Sequence, residues 1–174
     1  MTTLYKVDGT GAGGIYFNKP DGTLGATTVS SIQLSGVTAG EKIIVNGATT
    51  VSCLANSSVP YYGFHFNSFS ASQLLLTRTP QGHWFDWANS VPISPQSGWD
   101  LHDGSQTNYG VMDPYLNHDQ TAMHEFTSTQ QGDWYLNFVV WASSANATGD
   151  SVAKNEYLWI VPQQTSLQAM RFPN

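Results

Sequence analysis

The stretch "GDWYLNFVVWAS", residues 132–143, is apolar on two sides at once. In an extended chain, alternate side chains point to opposite sides of the pleat. Trp134, Leu136, Phe138 and Val140 then share one face, and Tyr135, Asn137, Val139 and Trp141 share the other. Neither face suits open water. Such a strand belongs in the middle of a layered β structure. It places Leu136, Phe138 and Val140 in a core, and it sets Val139 and Trp141 against a second layer or a partner subunit.

The rest of the chain carries the same grammar. Helical periodicity is almost absent. Short β-branched or aromatic runs are separated by Gly, Pro, Asn, Asp and Ser. They are "GGIYFN" (13–18), "TTVSSIQL" (27–34), "AGEKIIVNG" (39–47), "ATTVSCL" (48–54), "YYGFHF" (61–66), "SQLLLTR" (72–78), "TAMHEFTS" (121–128), "NEYLWIV" (155–161) and "SLQAMRF" (166–172). Asn46-Gly47 predicts a two-residue hairpin turn. Residues 155–161 are expected to pair antiparallel with 132–143, and 166–172 to close a sheet edge. The pattern predicts an all-β fold, an antiparallel β-sandwich or jelly roll, with residues 1–174 as a single domain. Between about 79 and 120 the periodicity lapses into a long loop region rich in aromatic, Asp and His residues.

A chain of 174 residues can bury about 70% of its unfolded surface, so the core needs no staples. Charged residues are only 10% of the total, where about 25% is ordinary. The surface must therefore be built from Ser, Thr, Asn, Gln, Gly and aromatic edges. The net charge is -6 and there is no Lys/Arg run. That excludes electrostatic recruitment to nucleic acid or to an anionic membrane surface. Cys53 is the only cysteine, so no intramolecular disulfide forms, and it reads as a small buried apolar residue. The start, "MTTLYKVDGTGAGG", lacks the apolar segment of a signal peptide, and no run is long enough for a spanning helix. The expectation is a protein that is cytoplasmic or released without a signal peptide. The sequons at Asn56 and Asn146 are then chance matches.

The charge map is uneven. After Arg78 there is no Lys or Arg until Lys154, and the interval holds eight of the twelve carboxylates and four of the five histidines. Mutual repulsion there calls for an offset: a bound cation, a donor-rich ligand, or backbone hydrogen bonds to Asp in turns. Oxygen-rich loops suit calcium better than zinc. The candidate cation ligands are Asp100, Asp103, Asp113 and Asp119, within "WDLHDG" (99–104) and "MDPYLNHDQTAMHE" (112–125). The second stretch also offers His118, His124 and Glu125. Neither stretch matches an EF-hand loop or a zinc-protease helix. There is no Gly-x-Ser-x-Gly elbow and no Cys–His pair, and "DGTGAGG" (8–14) lacks the Lys-Ser/Thr end of a phosphate-binding loop. These gaps point away from an enzyme. A metal-dependent hydrolase built on residues 100–125 is only the third reading.

The stretch "QGHWFDWANSVPISPQSGWD", residues 81–100, puts three of the six tryptophans into sixteen positions among turn formers. If extended, it sends Phe85 and Trp87 one way and Trp84 and Asp86 the other. One set can be core; the other stays near the surface. Trp99 sits in "SGWD", which reads as a turn. At least one of Trp84, Trp87 and Trp99 should be more than one-third exposed and line a concave site. Aromatic faces beside carboxylates and amides suit sugars, whose apolar face stacks on the ring while polar side chains bind the hydroxyls. The candidate ligand-binding residues are Trp84, Asp86, Trp87, Trp99, Asp100, His102, Asp103 and Tyr115. The reading is a non-enzymatic, lectin-like protein for carbohydrate or another polar small ligand, acting as a homo-oligomer. The alternative is a self-assembling structural, inclusion-body or toxin-like β protein that uses the two-faced strand and uncharged surface for protein contact.

Overall fold

The computed structural model describes residues 3–8, 15–16, 25–55, 67–102, 115–144 and 156–174. The strands in chain order are β1 (Thr3–Asp8), β2 (Ile15–Tyr16), β3 (Ala26–Val37), β4 (Lys42–Ala55), β5 (Asn67–Thr77), β6 (Val91–Pro92), β7 (Ser97–His102), β8 (Tyr115–Glu125), β9 (Gly132–Ser144) and β10 (Glu156–Phe172). A short 3-10 turn, Ser128–Gln130, links β8 to β9. All pairing is antiparallel. Sheet I has the order β1–β10–β4–β8, with β2 also on β10. Sheet II has the order β3–β9–β5–β6, with β7 also on β5. The two sheets pack face to face as a β-sandwich. Among the described residues no helix is long and apolar enough to cross a membrane.

The two-faced strand β9 lies between β3 and β5 in sheet II, as its apolar faces require. Leu136, Phe138 and Val140 are fully buried. They share one cluster with Ile43 and Val45 of β4, Leu167 and Ala169 of β10, and Ile32 and Leu34 of β3. This cluster is the space between the sheets.

Three strand expectations are corrected. The first is the hairpin at Asn46-Gly47: β4 runs straight through it for fourteen residues. A Cβ on Gly47 would lie 3.1 Å from Cγ of Phe138. The glycine is there to admit the ring from the facing sheet, and this close approach has no local sequence signature. The second is the partner of 155–161. That run pairs with β4 in sheet I, not with β9. The third is 166–172, which is the continuation of the same strand. One register shift between Val161 and Ser166 joins the halves, and β10 sits inside sheet I between β1 and β4. Pro162 falls within this shift, where no ladder donor is required. The run 61–66 lies outside the described residues. Cys53 stands opposite Leu158, and its side chain lies outside the description.

One end of the sandwich is fastened by a buried ion pair. Glu41 follows the β3–β4 turn, and its carboxylate receives both Nε and Nη2 of Arg171 from β10, the latter at 2.9 Å. Arg171 Nη1 also donates to the Ser35 carbonyl of β3 at 2.8 Å, so the guanidinium joins the two sheets. Thr38 N–H donates to the same carboxylate at 3.2 Å. The Phe126 backbone, just past β8, exchanges hydrogen bonds with Gly40 and Glu41. Burial alone would raise the Glu41 pKa. The Arg171 guanidinium and the Thr38 amide outweigh it and hold the carboxyl below its usual range.

Two outcomes follow. Gly47→Ala should destabilise the fold by about 1–3 kcal/mol through overpacking against Phe138, read by urea denaturation. Glu41→Gln should cost about 3–5 kcal/mol near neutral pH, because it leaves Arg171 buried without a counter-charge. The folded carboxyl binds its proton less readily than the unfolded one. Its contribution is therefore full above the ordinary value of 4.5 and fades as the pH falls through the lower folded value. The difference between wild type and Glu41→Gln should be constant from pH 8 to 5 and shrink below that.

Candidate functional site

The outward face of β9 is covered by the chain itself. After β5, residues 79–96 form a strap. At one side it is fastened to the free edge of β3: Thr28 N–H donates to the His83 carbonyl at 3.0 Å, Phe85 N–H donates to Ala26 at 2.9 Å, and Trp84 forms a bridge with Thr27. The strap then crosses the sheet and joins the far side of β5. There β6 pairs with Leu75 and Leu76, and Ile93 N–H donates to Leu74 at 3.0 Å. The Gln73 amide donates to the Ser94 carbonyl, and the Ser94 hydroxyl accepts from Leu74 N–H, both at 2.9 Å. Beneath the strap, Phe85, Leu75 and Val139 form a second small core, with Ala26 and Trp141 packed against it.

Trp87 emerges from this strap. Its ring is 5.1 Å from Phe85 at 82° and 5.3 Å from Trp141 at 85°, both edge-to-face contacts. Such contacts add about 0.5–1.5 kcal/mol each beyond buried area. Trp87 nevertheless keeps 44% of its surface exposed. The turn that presents it is tightly bonded. Asp86 Oδ1 accepts from Ala88 N–H at 2.9 Å, and Ser90 donates through its amide and its hydroxyl to the Trp87 carbonyl. Asn89 takes φ 61°, a left-handed conformation that asparagine tolerates in turns. Gln81 Oε1 accepts from Asp86 N–H at 3.0 Å. Asp86 is exposed beside the indole.

The predicted site residues divide. Trp84, Asp86 and Trp87 come together on the strap. Phe85 and Trp87 do share a side, and Trp87 meets the expected exposure. Trp84 is half-buried, edge-on to His83 at 4.3 Å between ring centres. Trp99, Asp100 and His102 belong to strand β7 and pair with Ser70, Phe69 and Asn67; Trp99 is not in a turn. Their side chains lie outside the description, as do Asp103 and Asp113 altogether. Tyr115 and Asp119 are on the other sheet, in β8, opposite Ser52 and Ala48. The region 79–120 is thus no single loop: it contains the strap, β6, β7 and the start of β8. Trp141, which packs against Trp87, was not among the predicted site residues, although its place on the outward face of the two-faced strand was a usable signal. Gln81, which holds the Asp86 backbone from five residues away, had none.

The described carboxylates of the acidic interval are largely engaged one by one. Asp133 Oδ1 accepts from Gly36 N–H at 2.8 Å, Asp86 caps its turn, and Glu125 faces Lys42 at 3.3 Å. Among the described residues no three His, Cys, Asp or Glu side chains converge to hold a metal ion. His118 faces the interior and Asp119 the solvent, on opposite sides of β8. Burial pushes the His118 pKa down to about 4, against the pull of Asp119. His124 is also lowered by burial, opposed by its hydrogen bond to Gln130.

No family model matches the chain, and no curated protein matches it in sequence. Among solved structures, it is similar to one described as "Structure of infectious bursal disease virus Gx strain", at 7% identity and TM-score 0.40, covering 99% of this chain and 32% of that one. It is also similar to the "Structure of Eiger TNF from S. frugiperda", at 7% identity and TM-score 0.34, covering 87% of this chain and 94% of that one. The chain spans about a third of the length of the viral structure.

His118 supplies a test of the interior. Its folded pKa lies below the ordinary 6.5, so between pH 6.5 and about 4 the unfolded chain takes up a proton that the folded chain refuses. Stability should fall across that window as the pH drops, by at most about 3 kcal/mol. His118→Gln should remove this part of the slope in denaturant titrations run at each pH.

Proposed function

We propose that the chain is a non-enzymatic binding protein that takes carbohydrate, or a polar ligand of similar shape, at the corner formed by Trp87 and Trp141. One observation carries this reading. Trp87 is a large aromatic ring held open to water by two edge-to-face neighbours and a hydrogen-bonded turn. Holding a ring in place before binding removes much of the ordering cost. The apolar face of a pyranose can stack on such a ring. Asp86 offers a carboxylate to the hydroxyls, and the surroundings hold Asn89, Ser90 and Gln81 as further polar groups. The low charge of the surface suits a neutral ligand.

A glycan array identifies ligands, and tryptophan fluorescence titration then measures affinity. Trp87→Ala should weaken binding at least tenfold, about 1.4 kcal/mol. Asp86→Asn should weaken it less, because the turn-capping oxygen survives. An array without hits, or a Trp87→Ala variant that binds as wild type does, would end the proposal.

A further inference from the structure

The strap is thinly held for a segment of its length. Of residues 79–96, only Phe85 and Ser94 are buried. In β9 beneath it, every residue from Leu136 to Val140 is buried. Phe85 is the strap's one buried apolar side chain, and it lies on Leu75 of β5 and Val139 of β9. The backbone fastens the strap at two places. At the β3 edge, Thr28 donates to His83 and Phe85 donates to Ala26. At the β5 edge, Ile93 donates to Leu74, Leu74 donates to the Ser94 hydroxyl, and the Gln73 amide donates to the Ser94 carbonyl. Between these points lies the turn 86–90. Among the described residues its hydrogen bonds stay within the strap: Asp86 to Gln81, Ala88 to Asp86, and Ser90 to Trp87. Trp87 meets the sheet through its ring alone, 5.3 Å from Trp141. A segment with few buried apolar contacts and a short ladder opens at lower free energy than the strands it covers. Opening bares Leu75 and Val139, so the closed form is the favoured one even without a ligand.

We infer that the strap is a clasp: residues 79–96 open and close on sheet II as one unit, and a ligand at Trp87 and Trp141 holds the clasp shut. The second half rests on the binding reading above; the first half does not. The two rings belong to different elements. Trp87 is carried by the strap, and Trp141 by β9, fifty-four residues later. A ligand that lies on both finds them together only when the strap is closed. Its apparent affinity is then the intrinsic affinity scaled by the closed fraction. By linkage, the ligand raises that fraction in return.

Two residues become positioning residues on this account. Phe85 is only 7% exposed and faces the sheet, so it does not touch the ligand. It still sets the placement of Trp87, through the edge-to-face contact at 5.1 Å and 82°. Ser94 acts from the other end, seven residues from Trp87, through the bond its hydroxyl accepts from the Leu74 amide.

Hydrogen exchange and circular dichroism on the ligand-free chain test the clasp. The amides of Phe85 and Ile93 should be equally protected, and about a hundredfold less than those of Leu136 and Phe138 in β9. Two indole rings 5.3 Å apart couple in the ultraviolet, so their exciton couplet reports the closed strap. Phe85→Ala and, separately, Ser94→Ala should lower the protection of both strap amides together and shrink the couplet. Phe85→Leu, which keeps an apolar anchor, should recover part of the lost protection. The coupling is read with a glycan identified on the array. At about 100 times its Kd it should slow exchange at Phe85 and Ile93 about a hundredfold. Ser94→Ala, with both indoles in place, should weaken its binding about fivefold or more. Strap amides as protected as those of β9, or protected to two unrelated degrees, overturn the clasp whatever the ligand. A glycan that binds and leaves strap exchange as it was overturns the coupling and spares the binding reading. An array without hits ends the binding reading and the coupling with it, and the clasp is then decided by exchange and couplet.

Discussion

Strand β9 is apolar on both faces, and the molecule is arranged to keep water from each of them. Toward the inside, Leu136, Phe138 and Val140 meet β4 and β10 of the facing sheet. Toward the outside, Val139 is sealed by Phe85, carried there by the strap. Each large side chain so buried stabilises the fold by about 1.5–3 kcal/mol. The strap is therefore a third layer over part of sheet II. It also explains why tryptophans occur in a segment so rich in turn formers. The segment has almost no ladder of its own, and it is held by one bridge, two β6 pairs and the aromatic residues it inserts or leans on the sheet.

With only six basic residues in the chain, the use made of them is informative. Arg171 is spent on the buried contact with Glu41 and ties both sheets at one end. Arg78 lies over the Trp134 ring at 3.8 Å and donates to the carbonyls of Thr129, Gln131 and Asp133. It thereby fixes the turn from which β9 starts. The Trp134 indole N–H donates back into the same turn, to Gln130. Two arginines thus organise chain ends and turns. The remaining polar work inside falls to neutral groups. Asn137 joins Thr77 and Ser31, and Gln120 of sheet I reaches the Ser72 carbonyl and hydroxyl of sheet II. A sparsely charged surface follows from the same economy of ionisable residues.

The two outward faces are consequently unlike each other. Sheet II is roofed in part by the strap, which leaves Trp87 exposed beside Trp141. Sheet I carries a row of exposed apolar side chains, Leu4, Met170, Ile44 and Met123, across four strands.

Alternation along a single strand is a local property, and it was legible. The two faces of 132–143, the shared side of Phe85 and Trp87, and the all-β layered class all follow from period-two patterning and the absence of helical spacing. Local rules misread Asn46-Gly47 as a turn, because the reason for that glycine is a phenylalanine ninety-one residues later on the facing sheet. They also cut β10 in two at its irregularity, since a bulge and a turn share the same residue types. The placement of Tyr115 and Asp119 on the sheet opposite Trp84 and Trp87, and the roof over Val139, depend on strand order. So does the row formed by Leu4, Met170, Ile44 and Met123, which no pair of neighbours in the chain announces. The sequence by itself determined which residues avoid water and with what period. Only the tertiary structure decided which strands lie side by side, because pairing is a contest among non-local partners whose outcome no short stretch encodes.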